Sequence, residues 1–154
     1  MNRSEEEQDP KVREWELVQS KDLFERSLNI NPSNDSSKVG LGATLLYGGF
    51  VEMPMEAISK IKEVADRDTA NVYAQMTMGE ASLMSQQYEK ALVRFKRVAR
   101  LQPDNTEAIF RAAEASERMG KKKEAAGWYA KLLPFISNAA MKKEVEARIA
   151  ELNK

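Results

Sequence analysis

Tyr88-Glu89-Lys90-Ala91-Leu92-Val93-Arg94-Phe95-Lys96-Arg97-Val98-Ala99-Arg100-Leu101-Gln102-Pro103-Asp104-Asn105 decides how this chain reads. Ala91, Phe95, Val98 and Leu101 fall at i, i+4, i+7 and i+10, one face of an α-helix. Lys90, Arg94, Lys96, Arg97 and Arg100 are expected on the opposite, solvated side. Pro103 cannot continue the helix, and Asp104-Asn105 offers side-chain oxygens to cap the next one. Thirty-four residues later the pattern recurs, with Ala125 for Ala91, Tyr129 for Phe95, and Ala113 for Gly79 of the preceding helix. Thirty-four residues earlier, Ala57, Ile61 and Val64 stand under Ala91, Phe95 and Val98.

A 34-residue period carried by a helix–turn–helix unit resembles the tetratricopeptide repeat (TPR) family, from roughly Asp9 onward. The resemblance implies an all-α fold: an α-solenoid of stacked antiparallel helix pairs wound into a right-handed superhelix. The expected organisation is an acidic disordered tail over 1–8 and an orphan capping helix over 9–35. The first repeat follows over 36–71, with a loop insertion. The second spans 72–105 and the third 106–136, and a capping helix over 137–154 closes the chain. Asp9-Pro10 starts the orphan helix as cap and first-turn proline. Leu41-Gly42 and Met78-Gly79 look like the family's small-residue pair, where a partner helix approaches closely. Gly42 to Ala57 is 15 positions and Gly79 to Ala91 is 12, so three residues are inserted within Gly48–Pro54. Asp104 and Glu107 have capping-box spacing. In the last helix Met141, Val145, Ile149 and Leu152 form one stripe, and Glu144 and Arg148 are spaced to pair.

Composition limits the function. Lys plus Arg number 24 and Asp plus Glu number 24, so no net charge draws the chain to nucleic acid or an anionic membrane. Cys and His are both absent, which removes thiolate and imidazole chemistry. No stretch suits membrane insertion, no signal peptide is seen, and a cytoplasmic location is the default expectation. Glycines at 40, 42, 48 and 49 follow no strand and lack the phosphate-loop order. Lys121-Lys122-Lys123 reads as a solvated turn, since no aromatic residues interleave with it for base stacking. The expectation is a protein that is not an enzyme and holds no metal or cofactor.

What remains is the surface. The resemblance implies that first helices line a concave groove. Residues of those helices projected toward it are Val39, Leu46 and Tyr47, then Tyr73, Met76, Glu80, Leu83 and Met84, then Phe110, Arg111 and Glu114. Ala43, Thr77, Glu117 and Arg118 project the same way. The set is apolar in the first two repeats and charged in the third. It suits a protein or peptide ligand, extended or helical, with apolar anchors. One TPR subfamily clamps a C-terminal carboxylate with Lys, Asn and Arg. The matching positions here hold Val39, Ala43, Thr77 and Glu107, and only Arg111 fits, so no such clamp is expected. Arg111 is spaced instead to pair with Glu107 or Glu114. The alternative function is homo-oligomerisation or assembly within a larger protein. Trp15 carries it, because that residue lies beyond the span of one repeat helix. Either its helix folds over an end of the stack and covers Trp15, or Trp15 meets a second molecule in a weak homodimer.

Overall fold

The computed structural model describes residues 9–49 and 55–154, and the acidic tail and most of the expected insertion lie outside them. Eight α-helices and one short 3-10 turn make up the described residues: α1 Pro10–Ile30, α2 Asp35–Tyr47, α3 Met55–Arg67, α4 Val72–Met84, α5 Tyr88–Leu101, α6 Thr106–Arg118, α7 Lys122–Leu132 and α8 Ala139–Leu152. The fold is all-α. The chain divides between Val64 and Ala65, inside α3, into two compact units.

The helix boundaries follow from local chemistry. Asp9 accepts a hydrogen bond from the Lys11 amide ahead of Pro10. Asn34, Asn71, Asn105 and Asn138 cap α2, α4, α6 and α8, each side chain accepting from amides of the first turn. The capping box expected of Asp104 and Glu107 is not formed, because Asn105 itself is the cap. The second helices α5 and α7 have no side-chain cap and follow tight turns instead. Gly120 has φ 71°, and Gln86, 34 residues earlier, has φ 59°. Glycine meets that conformation freely, whereas a side chain is strained in it. Gly49 (φ 70°) lies seven positions after Gly42, just as Gln86 lies seven after Gly79. The extra residues therefore follow Gly49.

In the first unit α1 packs on α2, and Phe24 and Leu28 join Leu41, Leu45 and Ala57 in one apolar cluster. A Cβ on Gly40 would sit in the Phe24 ring, and one on Gly42 would lie 2.8 Å from the Ala57 carbonyl oxygen. The Ser27 and Ser37 hydroxyls bond across α1 and α2 at 2.7 Å. Leu23 does not join Phe24 in this contact. It is exposed, and so is Trp15 at 63%. The covered Trp15 expected of an orphan helix folded back over the stack is not found, because Phe24 and Leu28 occupy the face of α1 that meets α2.

In the second unit α4 pairs with α5, α6 with α7, and α8 lies on α7. One core runs through Ala91, Phe95, Ile109, Ala113, Ala125, Tyr129 and Leu132. Ala91, Phe95 and Ala125 are fully buried, and Tyr129 nearly so, as the register requires. A Cβ on Gly79 would lie 2.6 Å from the Phe95 ring, so the glycine is what lets α5 sit this close. On α8, Leu152 is buried and Val145 and Ile149 pack on the core, while Met141 stays exposed. Arg148 does not pair with Glu144. It reaches back to Glu117 of α6 and also pairs with Glu151.

Arg94 departs from its expected solvated position. It is mostly covered, bonding Asp66 of α3 at 2.8 Å and Gln75 of α4 at 3.0 Å. Gln75 is fully buried and donates to the Ala65 carbonyl at 2.7 Å. Replacing Ala91 with Leu should overpack the α4–α5 contact and cost roughly 1–3 kcal/mol, read from the denaturation midpoint. The Lys96 ammonium, hydrogen-bonded to Glu124 on α7, holds that carboxyl below its ordinary pKa against the opposing effect of burial. A depressed folded pKa contributes stability above the ordinary carboxylate range and loses it as pH falls through the folded value. Glu124→Gln should therefore be less stable than the parent near about pH 7, with the gap closing by about pH 3. Urea melts across that range would check this.

Candidate binding surface

Periodicity puts Tyr73, Met76, Glu80, Leu83 and Met84 on α4 and Phe110, Arg111 and Glu114 on α6, all within the second unit. The two helices are tied at this surface by Arg111, whose guanidinium lies 3.8 Å from Glu80 of α4. The same guanidinium bonds Glu107 at 2.9 Å and Glu114 at 3.1 Å along α6. Burial works against its charge, but the Glu114 and Glu107 hydrogen bonds and the Glu80 charge outweigh it and raise its pKa. Arg111 is thus a structural hub in a ring of three carboxylates, and it has little capacity left to clamp an external one.

The apolar members divide into two kinds. Tyr73 (49% exposed), Phe110 (43%) and Met84 (64%) present free side-chain surface. Burial of its ring raises the Tyr73 hydroxyl above its ordinary pKa. Phe110 is held edge-on to Tyr129, with ring centroids 6.2 Å apart. Met76 and Leu83 are half-covered and pack on the core beneath. Thr77, projected to the same face, is buried and bonds the Tyr73 carbonyl at 2.8 Å. Glu117 is absorbed into structure as well: it accepts from the Tyr129 hydroxyl at 3.1 Å and pairs with Arg148. Burial and the nearby Glu114 charge raise the Tyr129 pKa, so that hydroxyl stays a donor.

In the first unit the projection fares less evenly. Val39 is fully buried and drops out of any binding set, because it faces inward on α2. Leu46 is half-covered by the Leu41–Leu45–Ala57 cluster. Tyr47 is exposed.

Residues 82–144 match the tetratricopeptide repeat family. Solved TPR structures share the fold. A MamA mutant superposes with a TM-score of 0.72 at 19% identity, covering 91% of this chain and 78% of that one. A tetratricopeptide repeat protein from Parabacteroides merdae gives 0.74 at 16% identity over 92% of this chain and 56% of its own. A thermophilic TPR protein of Thermus thermophilus gives 0.63 at 22% identity over 92% and 76%. No curated protein matches the sequence. At these identities the likeness fixes the fold.

Among the described residues no group of His, Cys, Asp and Glu could hold a metal ion, and no helix is long and apolar enough to cross a membrane. The TPR fold presents a surface for protein contacts, and TPR proteins are generally non-catalytic scaffolds. The sequence did not single out Gln75, Arg94 or the Glu117–Tyr129–Arg148 cluster. The available signal was a polar residue at a core-facing helical position, which fits Gln75. Tyr129→Phe should remove the bond to Glu117, cost about 1 kcal/mol and leave helicity unchanged, as thermal and chemical melts would show.

Proposed function

We propose that this chain is a non-catalytic TPR scaffold that takes a protein or peptide segment on the exposed face of α4 and α6. The observation that carries this reading is the combination of three exposed apolar side chains, Tyr73, Met84 and Phe110, with a fixed polar ring around Arg111. The apolar residues supply contact area, and the ring sets a polar margin whose charges already have partners. A bound segment then gains affinity from apolar anchors and register from the carboxylates of Glu80 and Glu114, which can still accept hydrogen bonds from a ligand backbone. Met84 adapts its shape at small cost, which suits a surface that accepts more than one apolar anchor. Within the first unit, Leu46 and Tyr47 are proposed as a protein contact of their own.

One observation favours a second reading. Val12, Trp15 and Val18 are all exposed on α1, and a large exposed aromatic among apolar neighbours marks a contact surface. This stripe suits a homodimer or an assembly contact.

Tyr73→Ala combined with Met84→Ser should abolish capture of the physiological partner in pull-downs while leaving the melting temperature within about 2 °C, since both side chains are exposed. Met76→Glu is a poorer choice, because Met76 also supports the core. Equal capture by the double variant would move the site to another face. In sedimentation, Trp15→Ser would dissolve any self-association carried by α1.

A further inference from the structure

A second concave site lies on the second helices. A cavity of about 410 Å³ is lined by Lys96, Ala99, Arg100, Pro103, Ile109, Trp128 and Lys131. Its walls come from α5, the α5–α6 turn and α7, with Ile109 of α6 at its floor, and it lies wholly within the second unit. None of the residues assigned above to peptide contact lines it.

The chemistry of this cavity is specific. Ala99, Pro103, Ile109 and the Trp128 ring form an apolar floor beneath three cations. Lys131 Nζ lies 4.1 Å from the Trp128 ring centroid, which fixes that ammonium against the floor. Lys96 is engaged by Glu124. Among the described residues Arg100 and Lys131 have no carboxylate partner, although carboxylates are as numerous as cations in the chain. On this unit Arg94, Arg111 and Arg148 are held by carboxylates, whereas Arg97, like Arg100, has no carboxylate partner among the described residues. Two uncompensated cations over an apolar floor complement a ligand that carries both negative charge and an apolar group.

We infer that this cavity is a docking site for an acidic peptide segment, with one apolar side chain seated on Trp128, Pro103 and Ile109 and flanking carboxylates on Arg100 and Lys131. The volume matches one large side chain with its backbone, near the lower bound of ligand sites. A nucleic-acid strand fits poorly, since base-by-base stacking needs a row of aromatics and the lining has Trp128 alone. This inference is independent of the surface on α4 and α6, so either can fail without the other.

The test uses an array of hexapeptides in which Asp or Glu flanks one Phe, Trp, Leu or Ile, beside matched peptides with Asn and Gln for the acids and Ser for the apolar residue. The full chain carrying Trp15→Phe is titrated with the best binders, so that Trp128 alone reports by fluorescence. The acidic–apolar peptides should bind saturably and shift Trp128 emission. Arg100→Glu with Lys131→Glu should weaken them about tenfold. The milder Arg100→Gln with Lys131→Gln should weaken them less, and circular dichroism should be unchanged for both. Tyr73→Ala with Met84→Ser should have no effect on this binding. No enrichment over the neutral peptides would overturn the inference, as would binding indifferent to the Arg100 and Lys131 changes. ATP quenching Trp128 in an Arg100- and Lys131-dependent way, with no response to the peptides, would assign the cavity to nucleotides instead.

Discussion

The close approach of a glycine on a first helix to a large side chain on the second is the contact on which the α2–α3 and α4–α5 pairs depend, with Ala113 in the matching place on α6. Gly79 faces the Phe95 ring, and Gly42 faces Ile61 and the Ala57 carbonyl oxygen. A methyl group at either position would fall inside the neighbour's van der Waals envelope, so the helices would have to separate. Separation would strip contacts from Ala57 and Ala91, which are small for the same reason and fully buried. The pair therefore works as a unit: a small residue on each side, and one bulky residue that fills the space between them. Gly40 repeats the device with Phe24 of α1, which explains how a helix with no repeat partner of its own still docks.

Apolar packing gives the pairs their spacing, and buried or half-buried polar groups give them their register. Gln75 has no exposed surface, yet both ends of its amide are used, by the Ala65 carbonyl and by Arg94. Arg94 in turn reaches Asp66, so one side chain ties α3, α4 and α5 within the second unit. Glu117 does the same for α6, α7 and α8 through Tyr129 and Arg148. A slip of either helix would leave a buried donor or acceptor unsatisfied, which costs more than the bond itself contributes. Among the described residues no buried side-chain polar atom lacks a partner.

These ties decide which surface residues remain available. Arg111, the one residue that fits a carboxylate clamp, is saturated by its own carboxylates. Tyr73, Met84 and Phe110 are not occupied in this way, and neither are Arg100 and Lys131 on the other helices. The exposed apolar groups on α4 and α6 and the cationic cavity on α5 and α7 thus differ in chemistry.

The 34-residue spacing, the cap within Asp104-Asn105 and the Gly79–Phe95 register were legible in the sequence, because they depend on local backbone chemistry and on the 3.6-residue period of a helix. So was the burial of Ala91, Phe95, Ala125 and Tyr129. The fate of long polar and charged side chains was not. Arg94 sits on the polar side of its helix by spacing, yet it lies covered, because its length lets it reach two neighbouring helices. Arg148 passed over Glu144 for Glu117, and Val39 turned inward. Each outcome turns on how helices distant in sequence lie against one another, and periodicity along a single helix carries no record of that. The cavity at Trp128 is of the same kind: its lining comes from three segments that only packing brings together.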